Sequence, residues 1–200
     1  MGNRFKNLHT RRESTESFDL KNLNTKDKNY CIKINTDHFG WLEGKINFSL
    51  FGCGIRFHVN CDDDVYARRC AEYLESITKD NITRHTAMYA CLEALVKYVA
   101  DMLDEHSGEF DLGDLIFDEN STVEELIGII TPMELIFERS GFMSGDECPP
   151  AFSLKLGFSP VPDEVMEIAL HGDVPIYAGE YRGVSAWNEN LLKKKYNYLR

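Results

Sequence analysis

The chain lacks the features that mark membrane proteins and secreted proteins. Its 200 residues contain no apolar run long enough to cross a bilayer, and runs such as 126–130 are short and include a glycine. Residues 1–28 are polar and have no apolar stretch of the kind that a secretory signal needs. None of the six cysteines forms a Cys-x-x-Cys pair. These absences predict a cytoplasmic protein whose cysteines are reduced and mostly buried.

The common catalytic motifs are absent as well. Gly52-Cys53-Gly54 has neither the spacing nor the Lys-Ser/Thr ending of a phosphate-binding loop. The chain has no Gly-x-Ser-x-Gly motif and no His-Glu-x-x-His motif. Its six histidines are scattered, and no two of them lie four residues apart. We therefore predict no catalytic residues, no metal and no cofactor, and a protein that is not an enzyme.

Positive charge is nearly missing from residues 101–148 (the acidic segment). This segment has fourteen acidic residues and one basic residue, Arg139, so it carries a formal charge of −13 in a chain whose net charge is −11. A field of that sign attracts basic partners and repels nucleic acid and anionic membranes. We therefore expect a basic protein as a partner, and neither nucleic acid nor a membrane.

Regular apolar patterns predict the elements of the first half of the chain. Residues 42–50 and 55–60 alternate between apolar and polar side chains around a turn whose two glycines supply positive φ angles, which predicts a β-hairpin. Asp62-Asp63-Asp64 suits a helix N-cap better than a calcium loop, which needs alternating ligands and a distal glutamate. Apolar residues at three- and four-residue steps then predict helices over 65–77 and 83–105.

The second half of the chain returns to strands. Two overlapping capping boxes at 121–125 predict the start of a short helix. Alternating apolar residues predict strands at 133–138 and 152–158, and a second hairpin at 164–178.

This order of elements predicts an α+β fold. We expect an antiparallel sheet built from two hairpins plus additional strands, covered on one face by two or three helices. The domain would span residues 29–183. A flexible N-terminal arm would occupy residues 1–28, and a basic C-terminal tail or short helix would occupy residues 184–200.

Apolar residues are interleaved with the acids between residues 104 and 119. Interfaces that bind basic proteins combine an apolar centre with a charged surround, because the charge speeds encounter and the apolar centre slows release. We predict that this stretch binds a basic protein, with Phe110 and Phe117 as apolar anchors. The acids that would attract the partner are Asp104, Glu105, Glu109, Asp111, Asp114, Asp118 and Glu119.

Two other interpretations of the acidic segment stay open. The acids could form a solvated face that keeps a regulatory or scaffold protein soluble. A carboxylate pair such as Asp118 and Glu119 could instead serve a hydrolase, provided that burial separates the pKa values of the two acids.

Three parts of the chain carry a resemblance to a known group. They are Trp41-Leu42-Glu43-Gly44 entering a hairpin, the helical middle, and the late pattern in which Pro162-Asp163-Glu164 joins two strands and Gly179 follows a third. In these features residues 38–180 resemble small acidic bacterial cytosolic proteins of uncharacterised function. Many of those resemble immunity proteins of polymorphic toxin systems. The resemblance implies a protein that binds and neutralises a nuclease-type toxin, and it brings no catalytic residue.

Overall fold

The structure is a computed structural model, and it describes residues 30–35, 41–60, 63–78, 82–106, 108, 115–193 and 195–200. The N-terminal arm predicted at 1–28 lies outside these residues. In chain order the described elements are β1 (Tyr30–Asn35), β2 (Trp41–Phe48), β3 (Cys53–Asn60), α1 (Asp64–Thr78), α2 (Ile82–Glu105), α3 (Val123–Ile129), β4 (Ile130–Glu138), β5 (Ala151–Phe158), β6 (Val161–His171) and β7 (Val174–Glu180). The described residues also include short 3₁₀ helices at Ser49–Phe51 and Glu189–Leu192.

The strands form one sheet in which spatial order follows chain order from β1 to β7. Each neighbouring pair is antiparallel except β3 and β4, which are parallel. The three helices lie between β3 and β4 in sequence, and a parallel pair needs such a crossover connection. The predicted α+β class and its two hairpins, β2–β3 and β6–β7, are confirmed. The parallel pair is a difference from the antiparallel sheet that the sequence predicted.

The main core lies between the helices and one face of the sheet (the helix face). Alternate strand residues point to this face, so Ile46 lies opposite Ile55 and Phe57 lies beside Leu135. The predicted apolar seam of α2 is buried throughout, and its members are Met88, Cys91, Leu92, Leu95, Val99, Met102 and Leu103. Full burial of a leucine, valine or methionine side chain contributes about 1.5–3 kcal/mol to the stability of the fold.

The turn of the first hairpin lies two residues earlier in the chain than the sequence predicted. The 3₁₀ helix Ser49–Phe51 and Gly52 connect Phe48, the last residue of β2, to its partner Cys53, the first residue of β3. Gly52 has a φ of 61°, the left-handed value that glycine adopts without strain. Gly54 instead lies within β3 and pairs with Asn47, so it is not a turn residue.

The helix starts predicted from capping residues are confirmed. The Asp63 carboxylate accepts a hydrogen bond from the Tyr66 backbone N–H at 2.9 Å and caps α1. At α3 the Thr122 hydroxyl accepts from the Glu125 N–H at 3.2 Å, and the Glu125 carboxylate accepts from the Thr122 N–H at 2.6 Å. This reciprocal pair is a capping box.

The C-terminal segment (residues 184–200) packs first on the opposite face of the sheet (the back face), and its end reaches α2. Ala186 and Leu191 form a second buried cluster with Ala151, Ala169 and Tyr177 of β5, β6 and β7. The Tyr198 N–H donates to the Ala178 carbonyl at 3.0 Å, so the segment also covers the outer edge of β7. The sequence predicted a tail or short helix here but did not predict this packing.

Candidate functional site

A groove of about 520 Å³ lies between the last turns of α2 and the residues that precede α3 (the acidic groove). Four of the residues that line it are acidic and exposed: Asp101, Asp104, Asp118 and Glu119. Its other lining residues are Ala100, Leu103, Gly108, Leu115 and Phe117. The groove therefore combines an apolar floor with a rim of carboxylates.

Helical spacing and a tight turn hold the carboxylates of the acidic groove in place. Asp101 and Asp104 are three residues apart on α2, so they lie on the same face of that helix. On the other side, the Asp118 N–H donates to the Ser121 hydroxyl at 3.0 Å, and the Asp118 carboxylate accepts from the Asn120 N–H at 2.8 Å. The capping box of α3 follows directly. These bonds present Asp118 and Glu119 on an ordered turn.

The α2 side of the groove concentrates negative charge where a helix normally favours positive charge. The last turn of α2 contains Asp104 and Glu105 and no basic residue. The carbonyl groups at a helix C-terminus carry a partial negative charge, so carboxylates there reduce helix stability. A cation bound in the groove would offset this unfavourable charge.

An aliphatic side chain is exposed beside the groove. Ile116, which lies between the lining residues Leu115 and Phe117, is 89% exposed. Phe117 is only partly buried, and its ring packs against the main core while it lines the groove. Ile116 is therefore the more accessible apolar contact for a partner.

The structure brings together part of the predicted binding stretch. Asp104, Phe117, Asp118 and Glu119 line one groove, and Glu105 is exposed on the last turn of α2. The other four predicted residues, Glu109, Phe110, Asp111 and Asp114, lie outside the described residues. The sequence prediction missed Asp101, although its three-residue spacing from Asp104 was visible in the helical pattern.

A second depression, of about 420 Å³, adjoins the acidic groove and shares Asp101 and Glu119 with it (the tail cleft). Three basic residues line the cleft: Lys97 of α2, and Lys195 and Arg200 of the C-terminal segment. The Tyr198 ring packs edge-on against Tyr98 of α2, with centroids 5.3 Å apart. Burial and a hydrogen bond to Asp101 raise the pKa of Tyr198 to about 12. The basic end of the chain thus lies against one side of the acids.

The described cysteines and the other polar clusters do not suggest a reactive centre. Cys70, Cys91 and Cys148 are buried and Cys53 is half-buried, and burial raises the pKa of Cys91 to about 12, which disfavours a thiolate. Within the described residues, no group of three or more His, Cys, Asp or Glu side chains is arranged to hold a metal ion. None of the described helices is long and apolar enough to cross a membrane.

Comparisons with protein-family models, with curated proteins and with solved structures find no match to this chain. The resemblance to immunity proteins, which rests on the sequence patterns, stays a prediction. The residues of the acidic groove are therefore the basis on which a function can be argued.

Proposed function

We propose that this protein is a non-enzymatic binding protein that neutralises a basic protein partner, and that the acidic groove is its binding surface. The most concrete version is a cytoplasmic immunity protein that inhibits a nuclease-type toxin. The observation that carries the proposal is the groove itself, in which four exposed carboxylates surround an apolar floor.

Electrostatics and shape support different steps of such binding. The carboxylates raise the rate at which a basic protein encounters the groove, because opposite charges steer diffusion. The apolar floor and the exposed Ile116 then offer surface that a partner can bury, and burial of apolar surface slows dissociation. A surface that only kept the protein soluble would not need apolar residues between its acids.

Within the part of the chain that the structure describes, no observation favours the alternative of a hydrolase that uses buried carboxylates. That chemistry needs two acids in a deep pocket whose pKa values burial has separated. The acids that line the groove are exposed, and the fully buried Glu167 lines neither the acidic groove nor the tail cleft.

The test compares two triple variants that change the net charge equally. One reverses Asp104, Asp118 and Glu119 to lysine in the groove, and the other reverses the exposed Glu72, Asp146 and Glu147, which lie on α1 and on the loop between β4 and β5. Asp101 is left unchanged because it bonds Tyr198. A tagged wild-type chain first captures its partner from source lysate at low salt, and the partner is then purified.

We expect the groove variant to associate with this partner at least about tenfold more slowly at low salt, with a smaller dependence of the rate on salt. The control variant should keep most of the wild-type rate. Co-expression of wild type, but not of the groove variant, should relieve growth inhibition by the partner. If the two variants bind alike, or if the captured partner is not basic, the proposal is wrong.

A further inference from the structure

Glu167 is a buried acid without a hydrogen-bond partner. It lies on β6, where it pairs in register with Lys155 of β5 and Gly179 of β7, and its side chain points to the back face. The residue has no exposed surface, and within the described part of the chain neither carboxylate oxygen makes a hydrogen bond. The hydroxyl of Ser153, on the neighbouring strand, is buried and without a partner as well.

The positively charged side chains near Glu167 contact other groups. The Lys155 ammonium lies 4.4 Å from the centroid of the Tyr181 ring. The Arg182 guanidinium bonds the Glu180 carboxylate at 2.7 Å and lies 4.6 Å from the centroid of the Tyr196 ring. Burial raises the pKa of Glu167 to about 7. The Arg182 backbone N–H, which lies near the carboxylate but outside hydrogen-bond geometry, and the charges of Arg182 and Lys155 act to lower it. Tyr177, which also faces the carboxyl group, is buried beside it.

The C-terminal segment packs on β7 at Gly179. A Cβ atom at Gly179, the residue opposite Glu167, would lie 2.7 Å from the Tyr196 carbonyl oxygen. Further along the segment, the Asn197 side chain donates to the Ile176 and Leu191 carbonyls at 2.7 and 2.9 Å, and the Tyr198 N–H donates to the Ala178 carbonyl. The end of the segment thus packs directly over the strand that neighbours Glu167.

We infer that residues 195–200 are a releasable strap, that ionisation of the buried Glu167 favours its release from β7, and that release uncovers the acids of the tail cleft. The first two parts of this inference depend only on the packing around β7 and Glu167. The third part rests on the proposed function, because uncovering these acids matters only if the acidic groove binds a partner. The strap places Lys195 and Arg200 beside Asp101 and Glu119, so its release would remove two positive charges from that side of the acidic groove.

The direction of the effect follows from proton linkage. With the strap in place Glu167 holds its proton up to about pH 7, whereas a solvated glutamate loses it near 4.5. Between these two values the released form binds fewer protons, so a rise in pH favours release. The ratio of released to bound strap should rise about tenfold per pH unit in the middle of this range.

Amide hydrogen exchange of the full chain tests the inference without any partner. The reporter is the Tyr198 amide, whose hydrogen bond to Ala178 exists only while the strap is bound. After correction for intrinsic exchange, its protection factor should fall about tenfold per pH unit near pH 6. In the Glu167→Gln variant this protection factor should not change with pH. A matched control, Asp163→Asn, removes an exposed carboxylate of the same strand and should behave as wild type.

Three results would overturn the inference. The first is a Tyr198 protection factor that stays constant with pH in wild type, which would also be the outcome if Lys155 turned from Tyr181 to pair with the ionised carboxylate. The second is an equal loss of protection at Leu135 in the central strand β4, which would mean global unfolding. The third is a pH dependence that survives in Glu167→Gln. If that variant does not fold, comparison of Tyr198 with Leu135 in wild type still decides the matter.

The consequence for the acidic groove is measured separately. Strap release should strengthen binding of a labelled decalysine peptide in wild type as pH rises from 5.5 to 7, but not in Glu167→Gln. If the exchange result holds and peptide binding does not change, the strap exists and its link to the groove is wrong. If the Tyr198 protection factor does not fall as pH rises, the inference is wrong whatever the acidic groove binds.

Discussion

Two hydrogen bonds of the buried Tyr66 hydroxyl link neighbouring strands of the sheet. The Tyr66 hydroxyl donates to the Glu138 carbonyl at 2.7 Å and accepts from the Ala151 N–H at 3.1 Å, so one side chain joins the end of β4 to the start of β5. Burial raises the pKa of Tyr66 well above its ordinary value, which keeps the hydroxyl neutral and able to donate. Tyr66 lies on the buried side of α1, but nothing in the sequence indicated these bonds.

We expect Tyr66→Phe to lower the free energy of unfolding by about 1–3 kcal/mol, because the Glu138 carbonyl and the Ala151 N–H would lose a partner in a buried site. Urea unfolding followed by circular dichroism measures the change. The matched control is Tyr89→Phe, which removes the bond from α2 to the exposed Glu124 of α3 and should cost less than about 1 kcal/mol. Equal losses in the two variants would contradict this account.

The elements themselves were largely predictable because each has its own periodic pattern. The α2 seam, the first hairpin and the α3 capping box all follow from residues close together in sequence. The boundary between α3 and β4 was less predictable. The strand was expected from residue 133, but it begins at Ile130, directly after the helix. Pro132 lies in this strand at a register shift, where a proline without an N–H is tolerated.

At the level of the element, Thr122→Ala should destabilise α3 and the turn that carries Asp118 and Glu119. The substitution removes the hydroxyl that accepts the Glu125 N–H, and loss of such a cap costs about 1 kcal/mol. Thr122→Ser retains the oxygen and should stay within about 0.5 kcal/mol of wild type. Urea unfolding of the two variants checks the difference, and a serine variant as unstable as the alanine variant would argue against the capping role.

The sheet as a whole ends at β7, and the C-terminal segment covers that edge. The Ala178 carbonyl and N–H, on the side of β7 away from β6, bond Tyr198 and the Asn197 side chain. An uncovered edge strand offers unpaired backbone groups to another chain. The covered edge therefore protects the molecule from self-association.

Ending the chain after Gly183 should cause self-association, because it uncovers the β7 edge together with Ala169 and Tyr177 on the back face. Size-exclusion chromatography with light scattering should show that the truncated chain forms particles of higher mass than the full chain does at the same concentration. Leu192→Ser in the full chain is the control, since it removes an exposed apolar side chain and leaves the edge covered. A truncated chain that elutes with the mass of its own monomer would refute the protective role.

The sequence by itself determined the α+β class, most elements and the acidic character of the groove, because helical and strand periods, caps and charge depend on neighbouring residues. Only the tertiary structure decided which acids meet: Asp101 and Asp104 join Asp118 and Glu119 because α2 and the turn before α3 pack side by side. It alone also placed the buried Glu167 opposite Gly179, against which the C-terminal segment packs. Contacts between residues distant in the chain depend on how the sheet is ordered, and no local pattern records that order.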